Sequence, residues 1–109
     1  MGPKTTELAR VLAELAALLE NDGANEWSAW MLQAKVRLEK SDYSGIEYLL
    51  SAYGGSGSLN DLVLGQSSIN GVFAWKAGCI ELNDRFATLK SQAWELAQDI
   101  KRDHEILPT

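Results

Sequence analysis

One cysteine and one histidine in 109 residues leave this chain short of two chemistries at once. Cys79 has no second thiol for an internal disulfide, and Cys79 with His104 cannot assemble a Cys/His metal cluster. Cations are scarce too: ten Lys and Arg stand against fifteen Asp and Glu, a net charge of -5. That balance disfavours a general nucleic-acid binder, whose phosphate contacts need clustered positive charge, and suits a basic protein partner. Long apolar runs are missing as well. The longest uncharged stretch, between Leu62 and Lys76, is too polar and glycine-containing to span a bilayer, and the opening MGPKTTELAR lacks the apolar core of a signal peptide. These absences point to a cytoplasmic protein with no metal, no cofactor, no nucleic acid and no membrane association.

What is present is helical periodicity over a length that fits one domain, residues 1–109. Leu8, Val11, Leu12, Leu15, Leu18 and Leu19 recur at three and four, the stripe of an amphipathic helix, and Asn21-Asp22-Gly23 supplies its stop. Trp27, Trp30, Met31, Ala34 and Leu38 mark a second helix with Asn25 as N-cap. Ser44 and Glu47 have capping-box spacing before a short third helix, carried by Ile46, Leu49, Leu50 and Tyr53 and ended by Gly54-Gly55. A long last helix runs through Leu82, Phe86, Leu89, Ala93, Leu96, Ala97 and Ile100, with charge on its opposite side. Between Gly65 and Ile80 the pattern breaks. Asn70-Gly71 is the preferred dipeptide of a type I′ hairpin, so the expected fold is mainly α: a compact bundle of about four helices with an irregular insert or small hairpin around residues 65–80.

The stretch YGGSGSLNDLVL, Tyr53 to Leu64, is the most distinctive motif. Glycines allow close approach, and N–H groups at a helix start bind anions, so a phosphate cradle is physically open. Yet Ser58-Leu59-Asn60 follows Gly57 where a P-loop needs Lys and a hydroxyl, and no strand precedes it. The structural alternative is a helix stop at Gly54 and Gly55 followed by a turn that Ser58 caps, with Asp61 completing a capping box. Catalytic groups are thin: Cys79 and His104 lie in unrelated segments, and the carboxylate pairs Asp22/Glu26 and Asp99/Asp103 read most simply as solvated faces. Trp27, Trp30 and Trp94 read as core. Trp75, beside Lys76 in the insert, either anchors a partner or pins the insert onto the helices. The acidic group Glu20, Asp22 and Glu26 either steers a basic partner or keeps a loop soluble.

LLSAYGGSGSLNDLVL, from Leu49 to Leu64, followed by LKSQAWELAQDI, from Leu89 to Ile100, resembles a family of small bacterial proteins. In that family a short helix ends in GG-x-GS-x-ND and a C-terminal helix carries an aromatic residue before Glu-Leu-Ala. The likeness covers roughly the C-terminal two-thirds of the chain, and Ser56 stands where the pattern has a bulky residue. Such proteins resemble those encoded beside secreted polymorphic toxins. The resemblance therefore implies an immunity protein that binds a cognate toxin or effector and occludes its active site or substrate groove. On that reading Trp75, Lys76, Glu20, Asp22 and Glu26 make the contact, while Gly54, Gly55, Ser58, Asn60 and Asp61 hold the neighbouring loop in shape, the short polar side chains of Asn60 and Asp61 bonding backbone N–H groups. The competing expectation is a small ligand- or nucleotide-responsive regulator that uses the GGSGS loop.

Overall fold

The apolar stripe of residues 8–19 winds into α1 (Pro3–Asn21), with Pro3 in the first turn, where a missing N–H costs nothing. The helix stops as its sequence requires: Gly23 takes φ +84°, its N–H bonds Glu20, and the Ala24 N–H reaches back to Leu19. The computed structural model describes residues 2–54 and 58–106.

α2 (Asn25–Glu39) begins one residue earlier than an Asn25 cap allows. Ala24 occupies the capping position and Asn25 is the first helical residue, so no side chain caps this helix. What ties α2 to α1 is Ser28, whose buried hydroxyl donates to the Ala16 carbonyl at 2.8 Å. α3 (Ser44–Leu50) also differs from expectation, because Ser44 lies inside the helix and the Asp42 carboxylate accepts the Ser44 N–H at 3.0 Å. That bond holds the Asp42 carboxyl below its usual range. Gly45 is buried where α3 crosses α2, and a Cβ there would lie 3.0 Å from both the Ala34 carbonyl oxygen and Arg37 Cβ. Beside this crossing the Trp30 indole stacks on Tyr48 at 4.9 Å and donates to the Tyr48 carbonyl at 2.9 Å.

The third helix tightens into a 3-10 turn at Ser51–Tyr53 rather than stopping at a left-handed glycine, and Gly54 leaves it extended, with φ -97°. A second 3-10 turn, Leu59–Asp61, leads to the hairpin of β1 (Gln66–Ile69) and β2 (Val72–Trp75). α4 (Cys79–Ile106) follows, 28 residues long and thus about 42 Å. Phe86, Leu89, Ala93 and Ala97 of α4 close over Leu8, Leu12, Leu15 and Leu19 of α1, with Met31, Ile46 and Leu49 filling the remaining side of the core. The described residues are therefore mainly α, four helices around one core with a small hairpin inserted before the last. No described helix is long and apolar enough to cross a membrane.

Candidate protein-binding hairpin

Asn70 and Gly71 take φ +52° and +77°, the type I′ turn that matches the twist of the strands on either side. The register pairs Ile69 with Val72, Ser68 with Phe73, Ser67 with Ala74 and Gln66 with Trp75. In such a ladder the pair that closes the turn exchanges hydrogen bonds, and alternate pairs do the same. The Lys76 N–H to Gly65 carbonyl bond, 2.7 Å, continues that alternation at the base. The backbone groups of Gln66 and Ser68 therefore point away from the pair on one edge, and those of Phe73 and Trp75 on the other. Nothing among the described residues packs over β2: Val72 is 66% exposed, Phe73 56% and Trp75 53%. Phe73 and Trp75 share one face and meet edge to face at 5.2 Å. Exposed Val63 and Ile80 extend the apolar surface into a shallow groove with Trp75, Cys79, Asn83 and Asp84.

The base of the hairpin is tied to the helices by side-chain bonds. Leu64 is fully buried, and the Asn83 side chain acts as its strand partner, accepting the Leu64 N–H at 2.9 Å and donating to its carbonyl at 2.8 Å. At Gly65 both Asp22 carboxylate oxygens lie 3.1 Å from the backbone nitrogen, and Asp22 also pairs with Lys76 Nζ at 3.2 Å. Gly65 has φ +81°, and a Cβ there would fall 2.7 Å from Cys79 Cβ, so both conformation and contact require glycine.

The predicted site residues divide accordingly. Trp75 is half exposed at the hairpin face and lines the groove beside the first turns of α4. Lys76 is half exposed but already paired. Asp22, grouped in the sequence with Glu20 and Glu26 as one acidic surface, turns inward: its side chain is only 10% exposed and holds the hairpin base. Glu20 and Glu26 stay exposed on either side of the turn that Asp22 presses against the hairpin. Glu26, Glu81 and Asp84 form no ion pair with any described residue. Trp94, expected in the core, is 45% exposed, because it lies off the α4 stripe that Ala93 and Ala97 bury. Asn83 was missed. A lone asparagine inside a helical pattern gives no signal that its amide will complete a strand-like bond elsewhere.

Around the glycine-serine loop, Gly55 lies outside the described residues, as do Ser56 and Gly57. Ser58 occupies the capping position of the 3-10 turn, but by its carbonyl, which accepts the Asp61 N–H at 3.0 Å; its buried hydroxyl makes no hydrogen bond with a described residue. Asn60 acts as a donor rather than an acceptor, its amide bonding the Tyr53 carbonyl at 2.8 Å. Tyr53, Asn60, Lys90, Ser91, Trp94 and Glu95 line a shallow depression here. The Tyr53 hydroxyl donates to the Lys90 carbonyl at 2.8 Å, and burial pushes its ionisation well above the usual phenol range. Burial also lowers the Lys90 ammonium, a pull that nearby Asp61 opposes. One cation with Asp61 and Glu95 beside it is a poor setting for phosphate.

Nor do the catalytic candidates converge. Cys79 opens α4, while His104 stacks on Tyr43 at 3.8 Å in its last turn, about 37 Å away along a straight helix. Asp99 pairs with Arg102 and Asp103 with Lys4, which makes that carboxylate pair a charged helix surface. Among the described residues, no group of three or more His, Cys, Asp and Glu side chains could hold a metal ion.

No curated protein and no solved structure matches the chain. Residues 20–71, just under half of its length, match the profile of a domain of unknown function, DUF6966, a stretch that begins in the last turn of α1 and ends at the hairpin turn.

Proposed function

We propose that this protein is a non-catalytic binding protein, an immunity protein that neutralises a cognate toxin or effector by covering its active site or substrate groove. The observation that carries the reading is the hairpin: Val72, Phe73 and Trp75 are more than half exposed on a base bonded to the helices through Asp22, Gly65 and Asn83. Aromatic side chains on a preorganised support are the usual anchors of tight interfaces, because little ordering entropy is lost when they dock. The acidic side chains of Glu20, Glu26, Glu81 and Asp84 at this end of the molecule fit a basic partner and would raise its rate of encounter. The GG-x-GS-x-ND likeness supplies the toxin context.

The test is capture of the partner from the source cells with tagged protein, followed by co-expression of the captured polypeptide with wild type or a Phe73→Ala/Trp75→Ala variant. Growth arrest by the polypeptide alone, relief by wild type and failed relief by the folded variant are expected. A harmless polypeptide, or equal relief by both proteins, would overturn the reading. A rise in melting temperature with nucleotide or phosphate would instead favour a ligand-responsive regulator, since a ligand that binds only the folded state must stabilise it.

A further inference from the structure

We infer that the outer edge of β2 pairs with the same edge of a second copy of this chain, making a four-stranded antiparallel sheet across a two-fold axis. A two-stranded hairpin with no buried face is marginal alone, and natural proteins protect open edges with charge, proline or a covering element. Among the described residues none of these protects this one. The chain carries no charge between Asp61 and Lys76 and no proline there, and all four β2 residues are exposed.

The edge is self-complementary in one register. The outward backbone groups belong to Phe73 and Trp75, so antiparallel pairing of Phe73 with the second copy's Trp75, and the reverse, satisfies them in two hydrogen-bonded pairs. Ala74 then faces its own equivalent at the close, non-hydrogen-bonded position, where its small side chain lets the two strands approach without a clash. Each Phe73 stands directly opposite a tryptophan, a favourable cross-strand pair. Because directly opposed residues share a face, the four aromatic side chains line one side of the sheet. Lys76, the nearest charge, comes opposite Val72 and is already neutralised by Asp22.

The other edge offers less, since the same geometry at β1 would oppose Gln66 with Ser68. Pairing β1 of one copy with β2 of the next would not close and would propagate a fibre. A strand edge of this length buries less than the roughly 1,200 Å² at which stable interfaces begin, so the dimer is concentration-dependent. The inference stands apart from toxin neutralisation, because it concerns the free protein.

Sedimentation of the purified chain from about 1 µM to about 1 mM spans dissociation constants of the expected order. Wild-type mass should climb from 12.0 kDa toward twice that value. Ala74→Lys, which sets two lysines face to face, should hold the monomer mass, and Ser68→Lys on the other edge should follow wild type. A constant monomer mass for wild type overturns the inference, as does equal behaviour of the two lysine variants. An independent check is Ala74→Cys in a Cys79→Ser background under mild oxidation. It should cross-link faster than Val72→Cys, because non-hydrogen-bonded partners sit about 4.5 Å apart at Cα, within disulfide range. Equal cross-linking would overturn the register.

Discussion

Replacing Asp22 by alanine removes the group that joins the α1–α2 turn to the hairpin. Three contacts go with it: two carboxylate oxygens 3.1 Å from the Gly65 nitrogen, and the Lys76 ion pair at 3.2 Å. The Gly65 N–H is partly buried, and a donor left there without an acceptor costs about 1–3 kcal/mol. Lys76 is 46% exposed, so solvent screens its ion pair to at most about 1 kcal/mol. The sum is near 2 kcal/mol for Asp22→Ala, or roughly a 30-fold shift toward an undocked hairpin base. Asp22→Asn keeps an acceptor for Gly65 and should cost about half as much. Amide hydrogen exchange reads this directly. The Gly65 and Lys76 amides should exchange roughly 30-fold faster in Asp22→Ala, while Leu12 and Leu15, deep in α1, change much less. Unchanged exchange at Gly65, or an asparagine variant as impaired as the alanine, would refute the clamp.

Gly65→Ala places a Cβ against Cys79 at a left-handed backbone position and should destabilise the protein by about 2–3 kcal/mol in urea unfolding; a loss below about 0.5 kcal/mol would mean the base is not close-packed. Asn83→Ala strips both Leu64 backbone groups of their side-chain partner and should cost about 2–3 kcal/mol by the same assay, and Asn83→Asp, which cannot donate to the Leu64 carbonyl, should not restore it. Tyr53 ionises at higher pH when folded than when unfolded, so deprotonation above the phenol's ordinary value near 10 favours the unfolded chain. Stability should therefore fall as pH rises above about 10, and Tyr53→Phe should show a shallower fall; parallel alkaline profiles for the two proteins would contradict the burial of that hydroxyl.

The helices were legible because their apolar residues repeat at three and four, and the core follows that repeat from Leu8 to Ala97. The hairpin turn was legible for a different reason: Asn-Gly is favoured where two consecutive residues need positive φ, and Asn70 and Gly71 both have it. The ends of elements were harder to read. At Asn25 and Ser44 a polar residue with capping chemistry falls one position inside its helix, and sequence spacing cannot separate the cap from the first helical residue. The division of the acidic group was also hidden, because Glu20, Asp22 and Glu26 are equivalent as charges until the chain folds. Only then does Gly65 come to Asp22 across 43 positions. Trp94 misled for a related reason: an aromatic residue one place from a buried alanine faces outward on the same turn.

The central claim is that the hairpin face is where a partner docks. Calorimetric titration of the purified partner into wild type, Trp75→Ala and Phe73→Ala tests it most directly. The account predicts a loss of at least about 2 kcal/mol, roughly 30-fold in Kd, for Trp75→Ala, the scale of an interface hot spot, with Phe73→Ala weakened in the same direction. Affinities equal to wild type for both variants, with their helical content intact, would contradict it.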